Sequence, residues 1–338
     1  MDFREHQDRA KRNSRIIWFL YILLLSISSL LIGWTFIVGL NLAELYQSGY
    51  EQYSFWQKFS ASNSHAFDSE QIQILLSFSA IAFIVQASTT AFGFFKKSDG
   101  HKVAVAFNAR LLDENSANSL AEKQALNIVT EQALAASVPT PSLYLIPEQG
   151  INAFAAGKSN KNAIVAITEG ALNSFNRTEL SGVIAHEIGH IVNQDIKLNI
   201  QISAFVFGFT ALFFLARFIF YNAMYNRRMD GRAKLVMFAM AAVIAIIGAL
   251  TVWMGRILQA AMSRQREYLA DASAVQFTRY PDGLVQAFEV LENGGKSTKM
   301  ENPSSKEYAH AMMFGIGGEL FATHPPLRER IARIQNQK

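Results

Sequence analysis

The sequence predicts an α+β, mainly helical fold that combines several membrane-spanning helices with one water-soluble domain. Three observations support this prediction: long uncharged apolar stretches, short β-rich runs, and a helix that carries two histidines four residues apart. Half of the 338 residues are hydrophobic and the mean hydropathy is +0.13, which is unusual for a soluble protein. We therefore expect a multi-pass membrane protein.

Four stretches are long and apolar enough to cross a bilayer, which takes about twenty helical residues. Residues 16–40, 72–95 and 235–254 contain no charged side chain, and residues 198–221 contain only Arg217. The first stretch is too long for a cleaved signal peptide, so we expect it to be retained as a span. The last two stretches would form a transmembrane or membrane-inserted hairpin.

The basic residues near the spans predict the orientation. Residues 1–15 form a basic tail and residues 41–71 hold one basic side chain against four acidic ones. Because basic residues favour the cytoplasmic side, residues 1–15 would be cytoplasmic and residues 41–71 would form an acidic extracytoplasmic loop. The basic connection 222–234 disagrees with this scheme, and it leaves open whether the hairpin 198–254 crosses fully.

The remaining residues, 96–198 and 255–338, would fold as one cytoplasmic domain. The pattern predicts a helix at about 116–136, a loop over the cleft at 294–318 and a closing helix at 325–336. Short β-rich runs separated by turn residues indicate three strands between the first helix and the two histidines. These runs are 143–146, 152–156 and 163–168.

The segment His186-Glu187-Ile188-Gly189-His190 predicts a zinc site. Residues four apart lie on the same face of a helix, so two imidazoles can reach one tetrahedral cation. Glu187 then stands beside the metal, where it can take a proton from the attacking water. Asn176 and Glu179 predict a capped start of this helix.

A catalytic zinc needs a third protein ligand. A third histidine six residues after His190 is absent, because Ile196 occupies that place, and this excludes the three-histidine metzincin arrangement. The candidates are Glu267, His310 and His324, of which Glu267 is favoured. Asp271 lies one helical turn after Glu267, where it could accept the free N–H of a ligand histidine. If the helices bearing His190 and Glu267 ran unbroken into the neighbouring apolar segments, the metal would lie roughly 10–17 Å from the membrane boundary.

Several motifs in order resemble the HtpX/CAAX-prenyl-protease family of membrane zinc metallopeptidases, and most closely its HtpX-type bacterial branch. They are Asn152-Ala-Phe-Ala-Ala-Gly157, Val165-Ala-Ile-Thr168, His186-Glu-Ile-Gly-His190, Arg266-Glu-Tyr-Leu-Ala-Asp271 and Thr323-His-Pro-Pro326. The resemblance covers most of residues 100–338. It implies a zincin-like (gluzincin) catalytic domain.

The resemblance implies a site and a cofactor. One zinc ion per chain would be held by His186, His190 and Glu267, with Glu187 as general base. Asp271 would have a supporting role, and His324 is the candidate donor to the oxyanion. The run that begins at Asn152, Ala153 and Phe154 resembles the edge strand along which family members lay an extended substrate. A plainer interpretation is that Asn152 only serves the preceding turn.

The expected function is a zinc endopeptidase of the cell inner (plasma) membrane that cleaves membrane or unfolded proteins in quality control and stress response. Prenyl-peptide processing is an alternative, against which four spans argue, since that activity is associated with a larger helical chamber. A transporter is disfavoured because the spans contain no Asp, Glu, His or Lys. A non-catalytic membrane scaffold is the alternative from another class. The expected partners are protein substrates and the lipid bilayer, with no nucleic acid, and the sequence leaves the oligomeric state open.

Overall fold

Helices make up most of the described chain. The structure is a computed structural model, and it describes residues 3–47, 54, 57, 60, 68–97, 99–157, 159–293, 297–307, 312–313 and 324–336. The helices in these ranges are α1 (Phe3–Gln47), α2 (Ser69–Lys97), α3 (Gly100–Ala106), α4 (Leu120–Ala135), α5 (Glu169–Ser174), α6 (Arg177–Val192), α7 (Asp195–Tyr225), α8 (Gly231–Thr278), α9 (Pro281–Asn293), α10 (Ser304–Glu307) and α11 (Leu327–Gln335).

Four of these helices contain segments long and apolar enough to cross a membrane. The segments are Trp18–Glu44, Ser69–Phe95, Asp195–Tyr225 and Gly231–Ile257. Helices α1 and α8 run well past the uncharged stretches, since the flanking Lys, Arg, Glu and Ala residues also favour helix. Most of the loop expected at 41–71 lies outside the described residues.

The chain divides into two compact units. One unit, Arg15–Gly93 and Ser203–Arg256, contains most of each membrane-span candidate. Its buried polar side chains bond to one another: the Gln86 amide accepts from Ser28 and donates to Ser29, each at 3.1 Å. Apolar side chains such as Phe92 and Phe214 are exposed. Paired polar groups inside and apolar groups outside are what a lipid environment requires.

The other unit, Met1–Ser14, Phe94–Ile202 and Ile257–Lys338, contains a four-stranded sheet. Its strands are β1 (Arg110–Leu112), β2 (Ser142–Ile146), β3 (Ala153–Ala156) and β4 (Ile164–Thr168), in the order β1-β2-β4-β3. The β2–β4 pair is parallel and the other two pairs are antiparallel. The three predicted strands are therefore confirmed, and β3 lies at the edge of the sheet.

Helix α6 is the central helix of this unit. The Asn176 side chain accepts from the backbone N–H of Glu179, and the Glu179 carboxylate accepts from that of Asn176, so the predicted capping box is confirmed. The helix packs between α4 and α9. A Cβ atom on Gly182 would lie 2.7 Å from the backbone nitrogen of Leu284. Glycine therefore lets α6 and α9 approach closely.

The expectation of two unbroken helices is half right. Helix α8 carries Glu267 and the apolar segment Gly231–Ile257 without interruption. The helix with His190 ends at Val192, and Gln194 has a left-handed φ of 59° before α7 begins at Asp195. The distance estimated through His190 from an unbroken helix was therefore wrong.

Candidate metal centre and active site

Three side chains on two helices bring their donor atoms together. His186 and His190 lie on α6 and Glu267 lies on α8, and one ligand atom from each falls within 4.8 Å of the others. The two Nε2 atoms are 3.1 Å apart. The Glu267 oxygens lie 3.7 Å from Nε2 of His186 and 3.6 Å from Nε2 of His190. Ligand bonds of about 2.0–2.2 Å at tetrahedral angles separate donor atoms by about 3.3–3.6 Å, so the spacing fits a zinc ion.

Two carboxylates hold the other ring nitrogens. Asp271 Oδ1 lies 3.0 Å from Nδ1 of His186, and Asp195 Oδ2 lies 3.0 Å from Nδ1 of His190. Each carboxylate can accept an N–H from Nδ1, which leaves the Nε2 lone pairs pointing towards each other. This tautomer is the one that a metal-binding histidine needs.

The charge of the cluster also fits a divalent cation. The carboxylates of Glu187, Asp195, Glu267 and Asp271 are buried with only two guanidinium groups, those of Arg266 and Arg330. When ionised, the carboxylates leave two negative charges unbalanced. Although burial lowers the pKa of His190, Asp195 and Glu267 raise it to about 9, so this place favours positive charge. Burial lowers the pKa of His186 to about 4, which keeps that ring neutral.

Glu187 is buried and has no aligned hydrogen-bond partner for either oxygen among the described residues. Burial raises the pKa of its carboxyl to about 7, while the charge on His190 opposes the rise. A carboxyl with this pKa can both take and give a proton near neutral pH. Glu187 lines one cavity together with His190, Glu267, His324 and Ala155.

His324 lies beside Glu267, whereas the third candidate ligand cannot be located. Nδ1 of His324 is 3.0 Å from Oε2 of Glu267, but the two atoms are not aligned as a hydrogen bond. Both ring nitrogens of His324 are buried without an aligned partner in the described part of the chain. His310 falls outside the described residues.

The edge strand β3 passes beside Glu187. The carbonyl of Asn152 accepts from the N–H of Thr168 on β4, so the backbone groups of Ala153 and Ala155 point to the open edge. The Asn152 side chain binds the N–H of Ala153 and lies 3.5 Å from the carbonyl of Thr298. The Phe154 side chain is buried against Phe107, so any contact of this residue with a peptide would go through its backbone.

A segment of the chain itself lies on this edge. Of the expected loop 294–318, the structure describes 297–307 and 312–313. Met312 pairs antiparallel with Phe154, and the N–H of Met313 donates to the Ala153 carbonyl at 2.8 Å. Both methionines are buried and line the cavity that contains Glu187.

Sequence reasoning missed two residues of this cluster, Asp195 and Arg330. Asp195 follows His190 by five residues, and on an unbroken helix its side chain would be turned away by about 140°. The break at Gln194 brings it back. Arg330 bonds to Asp271, which is 59 positions away in the chain. The only sequence signal for Arg330 was its place in a short closing helix after Pro325 and Pro326.

The comparisons agree with the resemblance drawn from the motifs. Residues 119–338 match the family model of peptidase family M48. A protease HtpX homolog of Campylobacter hominis is 37% identical over 265 residues, which cover 76% of this chain and 88% of that protein. A protease HtpX homolog of Thermoanaerobacter pseudethanolicus is 41% identical over 220 residues, which cover 62% and 70%.

Among solved structures, the crystal structure of S. mikatae Ste24p matches with a TM-score of 0.49 at 18% identity. The match covers 81% of this chain and 64% of that one. The family implies a metal, typically zinc, and its members listed above are proteases, which confirms the predicted enzyme class. With its apolar helices and its matched family model, the chain belongs to peptidase family M48 and is a membrane-bound metallopeptidase.

Proposed function

We propose that the protein binds one zinc ion per chain through His186, His190 and Glu267 and hydrolyses peptide bonds there. The observation that carries the proposal is the convergence of these three donor atoms at distances of 3.1–3.7 Å. When bound, zinc supplies Lewis-acid activation of the peptide carbonyl and of water. The two buried negative charges left over by the protein's own groups would be balanced by its charge.

Glu187 is proposed as the general base. Its carboxylate would accept a proton from the attacking water and pass it to the leaving amine. Support comes from its burial, its two oxygens without aligned partners and its pKa of about 7. His324 is proposed to donate a hydrogen bond to the oxyanion, since its ring lines the same cavity and has no aligned partner.

The substrate is proposed to bind as an extended strand along the edge of β3. Backbone groups of Ala153 and Ala155 would provide hydrogen bonds that do not depend on the substrate's side chains. Asn152 would act by fixing the start of the strand through its bond to the Ala153 N–H. Because Met313 already bonds to the Ala153 carbonyl, a substrate would have to displace Met312 and Met313 from this edge.

Membrane proteins and unfolded proteins are the proposed substrates, in quality control at the inner membrane with the catalytic domain in the cytoplasm. The support for this orientation is the basic tail at 1–15 and the acidic loop at 41–71. The support for these substrates is that Glu267 shares one unbroken helix with an apolar segment. A backbone-reading edge strand also suits substrates of varied sequence.

The experiment that tests the proposal measures zinc and proteolysis on the same full-length protein in detergent. We expect about one zinc per chain and cleavage of an unfolded protein. A chelator should abolish cleavage, and added zinc should restore it. A protein that cleaves equally well after verified removal of all metal would exclude this function. Cleavage of lipidated peptides but not of the unfolded protein would instead favour prenyl-peptide processing.

A further inference from the structure

Arg330 is a completely buried arginine, and it is the largest fully buried side chain of the described chain. Removing a guanidinium group from water is costly unless it is paired and hydrogen-bonded. Its neighbours Arg328 and Arg333 on α11 are exposed. The burial of Arg330 therefore has to be explained by its partners.

These partners belong to the proposed metal site. Nε and Nη2 of Arg330 donate to Oδ2 and Oδ1 of Asp271 at 2.9 and 2.6 Å, as a two-pronged contact. Nη1 lies 3.2 Å from Oε2 of Glu267, within ion-pair distance but without the alignment of a hydrogen bond. The guanidinium carbon lies 4.4 Å from the ring centroid of Phe288 on α9. A two-pronged contact on a planar group fixes the orientation of the carboxylate.

The orientation of Asp271 in turn determines what His186 presents. Oδ1 of Asp271 lies 3.0 Å from Nδ1 of His186 and also accepts from Arg330. A fixed oxygen at this point keeps the proton of the imidazole on Nδ1 and the lone pair on Nε2. Without the guanidinium, the like charges of Asp271 and Glu267, one helical turn apart, would repel each other and both side chains could rotate.

We propose that Arg330 is a positioning residue of the metal site, which holds Asp271 and Glu267 so that Nε2 of His186 and one Glu267 oxygen face the metal position. The proposal rests on the ligand set of the proposed function. It differs from a role in anchoring α11, because anchoring predicts a loss of stability without a selective loss of metal affinity. Arg328, whose side chain pairs with Glu292 of α9, is the matched anchoring residue on the same helix.

The test compares Arg330→Lys with Arg328→Lys in the full-length protein in detergent. Lysine keeps the positive charge but cannot form the two-pronged contact. Zinc affinity is measured by competition with a chelator, and the thermal midpoint of the metal-free protein reports folding. Loss of a residue that supports ligands from behind typically weakens metal affinity about 10–100-fold. We expect a change of this size for Arg330→Lys and none for Arg328→Lys.

A double-variant cycle shows whether Arg330 acts through Asp271. If it does, adding Arg330→Lys to Asp271→Asn should cost far less affinity than Arg330→Lys alone. Cobalt(II) in place of zinc gives a second readout, since its absorption bands respond to ligand geometry and should change in Arg330→Lys only. If Arg330→Lys does not fold, Arg330→Met with Asp271→Asn removes both buried charges together and should bind zinc as weakly as Asp271→Asn alone.

Folded Arg330→Lys with the zinc affinity and cobalt spectrum of the natural protein would overturn the inference. Independent effects of the Arg330 and Asp271 substitutions would overturn it as well, as would Arg330→Met with Asp271→Asn binding zinc more tightly than Asp271→Asn alone. Failure of the natural protein to bind zinc would instead contradict the proposed function, so the two failures can be told apart.

Discussion

At the scale of single residues, the centre combines groups with opposite requirements. His186 and His190 must be neutral to offer lone pairs, whereas Glu267 must be charged. Burial keeps the pKa of His186 low. The pKa of Glu267 lies well below its usual range, because the charges of His324 and Arg330 outweigh the effect of burial. The same buried environment therefore produces both protonation states through different neighbours.

Glu267→Ala should lower zinc content and peptide hydrolysis together, because a site with three protein ligands loses one of them. Zinc per chain and cleavage rate are measured on the same purified sample. Glu131→Ala is the matched control, since Glu131 is an exposed partner of Arg177. A Glu267→Ala protein that keeps zinc at full affinity would show that Glu267 is not a ligand. His310 and His324 would then be the candidates.

At the scale of the elements, the close approach of α6 and α9 holds the histidine-bearing helix in place. Gly182→Ala would put a Cβ atom 2.7 Å from the backbone of Leu284, and neither backbone can move freely. We expect a loss of about 1–3 kcal/mol in the free energy of unfolding. Thermal unfolding in detergent measures it as a lowered midpoint.

Gly231→Ala is the control for this change. Gly231 begins α8, and a Cβ atom there would have no neighbour within 4 Å. Its midpoint should be unchanged or slightly higher, because alanine restricts the unfolded chain. Equal midpoints for Gly182→Ala and the natural protein would contradict the packing described for α6.

The edge of β3 gives a second prediction at this scale. Met313→Pro removes the N–H that bonds to the Ala153 carbonyl. If Met312 and Met313 compete with the substrate, the variant should have a lower KM for an extended peptide with little change in kcat. Met313→Leu keeps both the N–H and an apolar side chain, and should behave as the natural protein. A KM that is unchanged or higher in Met313→Pro would exclude this competition.

Elements with local signals could be predicted from sequence, and contacts between distant segments could not. The capped helix at Asn176, the strand at 163–168 and the closing helix depend on patterns within a few residues. Arg330 meets His186 across 144 positions, and nothing near either residue reports this. Asp195 was near enough to find, but only the left-handed turn at Gln194 brings it to His190. The spacing of His186 and His190 was informative because helix geometry alone relates them.

At the scale of the whole molecule, the membrane topology is open to a direct test. Residues 1–15, the region near Lys96 and the C-terminus should be cytoplasmic, with residues 41–71 on the opposite side. The chain contains no cysteine, so single cysteines introduced at these places can be labelled without interference. Labelling of 41–71 from the cytoplasmic side only would contradict the topology. A cysteine in 222–234 would show whether the basic turn crosses the membrane.

The proposed activity requires that metal binding and proton transfer belong to different residues of the centre. His186, His190 and Glu267 would hold the metal, while Glu187 would only move the proton. The two functions can therefore be separated by a substitution that leaves the three ligands in place.

Glu187→Gln is that substitution, because the amide has nearly the size of the carboxyl group but cannot accept the proton. Zinc content, thermal midpoint and cleavage of an unfolded protein are measured together in the full-length protein. We expect normal zinc and normal stability, with hydrolysis lower by about 10²–10⁴-fold or more. Near-normal cleavage by zinc-loaded Glu187→Gln, free of other proteases, would contradict the account.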